Sequence, residues 1–128
     1  MTDSPIRAGR DPAIRINAMP ADANALGDIF GGWLLSLMDS GAGLVAVRRA
    51  KGRAVTVAMD GMKFLKPVKI GDEVSVYVDI ARVGRTSITM DTEAWRRAPH
   101  EEQDELVTKA TFTFVAIDDE GRPRGVDD

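Results

Sequence analysis

One aspartate, Asp39, stands in the run Leu37-Met38-Asp39-Ser40-Gly41 with apolar side chains around it. A carboxylate taken out of water is costly unless it is hydrogen-bonded or paired. Such a group suits proton transfer as a general base or acid. The same residue also fits a structural carboxylate tied to a backbone group or an arginine. Asn24 lies upstream, in Pro20-Ala21-Asp22-Ala23-Asn24-Ala25-Leu26-Gly27-Asp28. Its amide can close an Asx turn, or it can orient a water or bind a carbonyl. Gly31-Gly32 follows where a helix begins. The first N–H groups of a helix have no partner inside it and can hold a developing oxyanion, and glycine lets another group approach the backbone closely. Asp28, just before, reads as a charge partner or cap for the helix start. Lys63, Lys66, Lys69, Arg82 and Arg85 recur near turns. Most such side chains are solvated, but a few can meet phosphates.

Other chemistries lack their residues. The chain has no cysteine, so it has neither a disulfide nor a thiolate nucleophile. Its one histidine, His100, lies in the polar stretch Pro99-His100-Glu101-Glu102-Gln103-Asp104 and reads as a surface loop residue. No metal-ligand cluster, glycine-rich phosphate loop or G-x-S-x-G elbow occurs. A formal net charge of -3 gives no general reason to expect nucleic acid. Trp33, Tyr77 and Trp95 are too sparse for a stacking platform and read as core or interface. The first twelve residues carry no apolar run, and no stretch approaches the roughly 20 apolar residues of a membrane span. The expectation is a cytoplasmic protein that binds neither nucleic acid nor membrane.

The elements that must position these residues follow from periodicity. The 128 residues, 44% hydrophobic and 29% charged, suit one globular domain. Residues 1–12 read as a flexible arm, 13–120 as the domain and 121–128 as a polar tail. One helix is expected from Phe30 or Gly31 to Lys51, with Gly52 as its stop. It is apolar on most sides and should therefore be buried, wrapped by sheet. A short strand precedes it, over Ala13 to Met19. Strands follow over Ala54 to Lys66, around Val74 to Ile80, over Thr86 to Arg96 and over Leu106 to Ile117. One long helix against an antiparallel sheet is an α+β arrangement. Its free edges and second face favour a second copy. Roughly ten helical residues, about 15 Å, separate Asp39 from the helix start. Asn24 and Asp39 would therefore meet only across two antiparallel helices of a dimer.

The segment Met19-Pro20-Ala21-Asp22-Ala23-Asn24-Ala25-Leu26-Gly27-Asp28-Ile29-Phe30-Gly31-Gly32-Trp33, with Met38-Asp39, closely resembles the YciA-like acyl-CoA thioesterases of the hot-dog superfamily. The likeness continues through Val55-Thr56-Val57-Ala58, Met62-Lys63-Phe64-Leu65-Lys66-Pro67-Val68, Gly71-Asp72 and Val83-Gly84-Arg85-Thr86-Ser87. It ends with Thr111-Phe112-Thr113-Phe114-Val115-Ala116-Ile117-Asp118 and Gly121-Arg122-Pro123, and so covers nearly the whole chain after the arm. Many relatives have Asn where this chain has Leu26, and some have a longer C-terminal segment.

The resemblance implies a hot-dog fold, with a long central helix wrapped by antiparallel sheet. It also implies a dimer with one continuous sheet and further assembly into a hexamer. The implied reaction is hydrolysis of acyl-CoA to fatty acid and CoA, with coenzyme A as part of the substrate and no separate cofactor. The family's catalytic carboxylate falls on Asp39, its partner amide on Asn24 of the facing subunit, and its oxyanion-binding backbone on Gly31-Gly32. Asp39 would activate water or attack the carbonyl to form an anhydride. CoA phosphates are expected against Arg85 first and Lys66 second, with Gly84 and Ser87 beside Arg85. A hot-dog hydratase would need a histidine spaced after Asp28 or Asp39, and none is there. The remaining alternative is a non-catalytic acyl-CoA-binding protein with the same fold.

Overall fold

The computed structural model describes residues 4–128. In chain order it contains β1 (Ile14–Asn17), a short 3-10 turn (Pro20–Asp22), α1 (Gly31–Ala50), β2 (Ala54–Phe64), β3 (Glu73–Val83), β4 (Ser87–Arg97) and β5 (Glu105–Ala116). The five strands form one antiparallel sheet in the order β1-β3-β4-β5-β2. α1 packs on one face against β2, β3, β4 and β5. This is the α+β hot-dog architecture the sequence implied.

Period-two alternation places Ile88, Met90 and Ala94 of β4, and Ala110, Phe112 and Phe114 of β5, in the core under the helix. Met90 lies opposite Phe112 and Ile88 opposite Phe114, all essentially out of solvent. From α1 they meet Leu34, Met38, Ala42 and Ala46, which recur every four residues on one helical stripe. Gly41 marks the closest crossing, because a methyl group there would sit 2.9 Å from Val76 Cγ1.

The helix is not wrapped on every side. Gly32, Ser36, Ser40, Leu44 and Val47 face solvent. Neighbouring β2 has β5 on one side and no strand on its other edge among the described residues. Val55, Val57 and Met59 are exposed along it, Val57 at 56%. A helix apolar all round reads as enclosed, but here the sheet encloses one face only. The rest is an apolar surface continuous with an unpaired strand edge.

Both termini make contacts with the domain. Residues 4–12 of the expected arm lie against it, while residues 1–3 lie outside the described residues. Pro5 is fully buried, Ser4 Oγ donates to Asp104 at 2.5 Å, and Arg10 lies 5.3 Å over the Tyr77 ring while bonding Asp79 at 2.8 Å. Together with Arg15, which reaches Ser75 and the Tyr77 hydroxyl, the arm buries the outer face of β3. Tyr77, read in the sequence as core or interface, is thus buried together with Ser75. The polar tail also folds back. Val126 is buried, and Arg124 donates to the Ala50 carbonyl at 2.7 Å. The guanidinium end of Arg124 lies close over Gly52, 2.7 Å from where a methyl group there would sit. The left-handed residue that ends α1 is Lys51 (φ 54°), not Gly52.

Candidate active site

The loop before α1 carries the first group of functional side chains. Asn24 Oδ1 accepts from the N–H groups of Leu26 (2.9 Å) and Asp28 (3.1 Å). Because both partners are backbone donors, the oxygen must point into the loop and the Nδ2 donors point away from it. The Asn24 carbonyl thus closes an Asx turn, and its NH2 has no partner among the described residues. The loop is stitched to the helix start by Phe30 N–H to Asp22 O (3.0 Å) and by Asn24 N–H to Asp28 O (2.7 Å). Leu26 is 87% exposed in this loop, an apolar side chain held outward beside Asn24.

At the helix start, Trp33 and Leu34 N–H both donate to the Phe30 carbonyl. Phe30 supplies no side-chain cap, and Gly31 and Gly32 N–H have no partner among the described residues. Asp28 is not the cap; it forms an ion pair with Lys69 instead. Two free donors at the positive end of a helix dipole suit a developing negative charge. Gly31 backs onto the Phe64 ring, 3.2 Å from where its Cβ would lie, whereas Gly32 is open. Beside Gly31 runs a groove of about 360 Å³, lined by Ile29, Leu34, Phe64, Leu65 and Val68 among others.

Asp39 lies eight residues further on, about 12 Å along the helix. It is half-buried rather than enclosed. Its Oδ1 accepts the Thr56 hydroxyl of β2 at 2.6 Å. Nothing in the residue types along the chain marks Thr56 as a site residue. A threonine in a strand is ordinary, and only the packing of β2 beside α1 shows that it meets Asp39. The bond fixes one carboxylate oxygen and leaves the other to accept a proton.

The basic residues do not converge within one chain. Lys66 N–H reaches Val107 O, whereas Thr86 O, next to Arg85, accepts from Ala116 N. Nine residues of β5, about 30 Å, separate those two anchor points. Both side chains are exposed and without an ion pair among the described residues. Gly84 and Ser87 shape the turn that carries Arg85, with Gly84 N–H donating to Ser87 O at 2.8 Å. His100 is exposed, as expected for a loop residue. Among the described residues, no group of three or more acidic or histidine side chains is placed to hold a metal ion. None of the helices is long and apolar enough to cross a membrane.

Each chain therefore carries two separate groups: donors at Asn24, Gly31 and Gly32, and a carboxylate at Asp39 held by Thr56. Residues 26–103, which include most of both, match the family described as the thioesterase superfamily. The chain belongs to that superfamily. Its YciA-like branch is marked by two relatives. An uncharacterised acyl-CoA thioester hydrolase of Zymomonas mobilis is 50% identical over 119 residues, covering 93% of this chain and 80% of that protein. The acyl-CoA thioester hydrolase YciA of Escherichia coli is 46% identical, covering 91% and 90%. A hexameric thioesterase from Yersinia pestis superposes with a TM-score of 0.88 at 49% identity, over 92% of this chain and 96% of that one. An acyl-CoA hydrolase of Staphylococcus aureus, solved with butyryl-CoA and CoA, superposes at 0.83 with 30% identity, over 89% and 70%. Alanine variants of that hydrolase were made at an asparagine, at an aspartate 15 residues later and at a threonine 17 beyond it. Asn24, Asp39 and Thr56 stand at the same spacings in this superfamily member.

Proposed function

We propose that this protein hydrolyses acyl-CoA thioesters at sites shared between two antiparallel subunits, in the cytoplasm. The observation that carries the reading is the division of one chain into two incomplete halves. Within one chain the carboxylate held by Thr56 lies about 12 Å along α1 from the uncapped donors at the helix start, and Asp28, the carboxylate nearer to them in sequence, is paired with Lys69. The open face of α1 and the free, apolar edge of β2 are contiguous. A second copy paired antiparallel through them would bring the start of one helix against the middle of the other. Association of such dimers into a hexamer is supported by the assembly of the Yersinia pestis relative.

In the completed site the thioester carbonyl lies against Gly31 and Gly32 N–H and the Asn24 NH2 of one subunit. The acyl chain enters the apolar groove beside Gly31 and Phe64. Asp39 of the facing subunit, held by Thr56 through one oxygen, uses the other to take a proton from water as it attacks the carbonyl. The tetrahedral oxyanion is stabilised by the backbone donors. It collapses with loss of the CoA thiolate, a good leaving group, which takes up the proton. The products are a fatty acid and CoA, so coenzyme A is substrate and product rather than a resident cofactor. Direct attack by Asp39 to form an anhydride uses the same geometry. Phosphates of CoA are met by Arg85 and by Lys66, which are anchored about 30 Å apart along β5 in one chain and therefore come from different subunits of one site.

The test is steady-state release of CoA across acyl-CoAs from acetyl to palmitoyl. Asp39→Ala should lose about two to four orders of magnitude in kcat while keeping its assembly. A folded Asp39→Ala protein with full turnover would overturn the assignment. Sharing is tested by subunit exchange between Asp39→Ala and Asn24→Ala proteins, each nearly inactive alone. Random re-pairing restores one intact site in half the dimers, about a quarter of wild-type activity. No recovery despite demonstrated exchange would mean that each site lies within one chain.

A further inference from the structure

The last residues of the chain hold the turn that carries Arg85. Val126 N–H donates to the Arg85 carbonyl at 2.8 Å, and the Val126 side chain is buried in the core. Arg124 N–H donates to Ala116 O at 2.9 Å, tying the same segment to the end of β5. The Arg124 guanidinium donates to Ala50 O at 2.7 Å and to Gly125 O at 2.9 Å. Arg49 of α1 binds Asp127 at 2.7 Å. Four elements thus meet at one clasp: the end of α1, the end of β5, the folded-back tail and the β3–β4 turn. Arg85 has a fixed peptide plane and a free guanidinium. An exposed arginine on an untethered turn must be ordered when it grips an anion, which weakens binding; here the backbone is ordered beforehand.

We infer that Val126 and Arg124 are positioning residues, which set Arg85 toward the phosphates of CoA without touching the reacting atoms. The inference rests on the reading of Arg85 as a phosphate contact, and its test separates the two. Val126→Pro removes the N–H donor while keeping an apolar side chain; Val126→Ala keeps the donor and trims the side chain. Each is compared with wild type and Arg85→Ala on butyryl-CoA and on the N-acetylcysteamine thioester of butyrate, which has no phosphates. Direct CoA binding is measured alongside.

Val126→Pro is expected to raise the KM for butyryl-CoA and the Kd for CoA roughly tenfold, as for the loss of one charge-assisted contact. Its kcat, and its kcat/KM on the truncated thioester, should stay at wild-type values. Val126→Ala should lower thermal stability with no such split between substrates. In the Arg85→Ala background, Val126→Pro should add nothing further to KM. If Arg85→Ala raises KM and Val126→Pro does not, the positioning role is overturned while the phosphate contact stands. If Arg85→Ala leaves CoA affinity unchanged, the phosphate contact falls, and the clasp's role with it. Where Val126→Pro does not fold, Arg124→Gln carries the same comparison, because it releases the tail from Ala50 while keeping every backbone donor.

Discussion

The two ends of α1 are built to opposite purposes. At its C-terminal end several devices combine: Lys51 turns left-handed, Arg48 and Arg49 lie in the last turn, Arg124 donates to the Ala50 carbonyl, and Asp127 binds Arg49. At its N-terminal end Phe30 supplies no cap, and Gly31 and Gly32, poor helix formers, leave their N–H groups free. A cap there would typically stabilise the fold by about 1 kcal/mol. The contrast shows where stability has been given up, and it falls where an oxyanion would form. Stabilising interactions omitted from one end of an otherwise well-sealed helix point to function more sharply than the residue types do.

The comparison can be broken most severely at the open end. Asn24→Asp keeps the oxygen that closes the Asx turn and removes the free NH2 donors. It should reduce kcat by about a hundredfold with the melting temperature nearly unchanged. A large drop in melting temperature with kcat preserved would mean that Asn24 only shapes its loop. Phe30→Ser should do the reverse of damage to the fold. A serine cap would accept from the free Gly32 N–H and raise stability by about 1 kcal/mol in urea titration, while kcat falls about tenfold. Greater stability with undiminished kcat would remove the Gly32 donor from the mechanism.

At the sealed end the signs invert. Arg124→Ala should cost about 1–3 kcal/mol of stability, the usual loss for a hydrogen bond from a charged donor, with kcat intact on the truncated thioester. The smallest effect belongs to pH. Hydrogen bonding and charge from Arg49 hold Asp127 below its ordinary value of 3.8, and Arg49 is raised by the same contact. A carboxylate lowered in the folded state stabilises it above its unfolded pKa and ceases to do so as pH falls through the folded value. The pair should therefore be intact above about pH 3.8 and be lost progressively below it. Urea midpoints of wild type and Asp127→Asn, followed downward in pH, should converge in that window.

The sequence made much of this legible, and what it hid has a common cause. Asp39 is conspicuous because an acid amid Leu37, Met38 and Gly41 has no surface reason to be there. Strand faces such as Ile88, Met90 and Phe112, Phe114 follow from a period of two. Thr56 is invisible to any reading along the chain, since its meaning lies in the 2.6 Å bond to a helix residue 17 positions away. The same holds for Arg124 and Val126, polar-tail residues whose partners are Ala50 and Arg85. The open face of α1 misleads for the opposite reason. Leu44 and Val47 are apolar and read as enclosed, yet both are exposed, and a single sequence does not say whether an apolar face is covered by its own sheet. Periodicity speaks for contacts within an element and is silent about contacts between distant ones.

The 12 Å between Asp39 and the helix start along one chain also bears on when the protein can act. On the shared site proposed above, a newly made chain, however well folded, would hold a base and oxyanion donors that do not face each other. Turnover would then begin only once two copies have met, so its onset would scale with the square of chain concentration rather than with chain number. Specific activity becomes a gauge of association, and a cell making few copies would leave its thioesters untouched until the protein had accumulated.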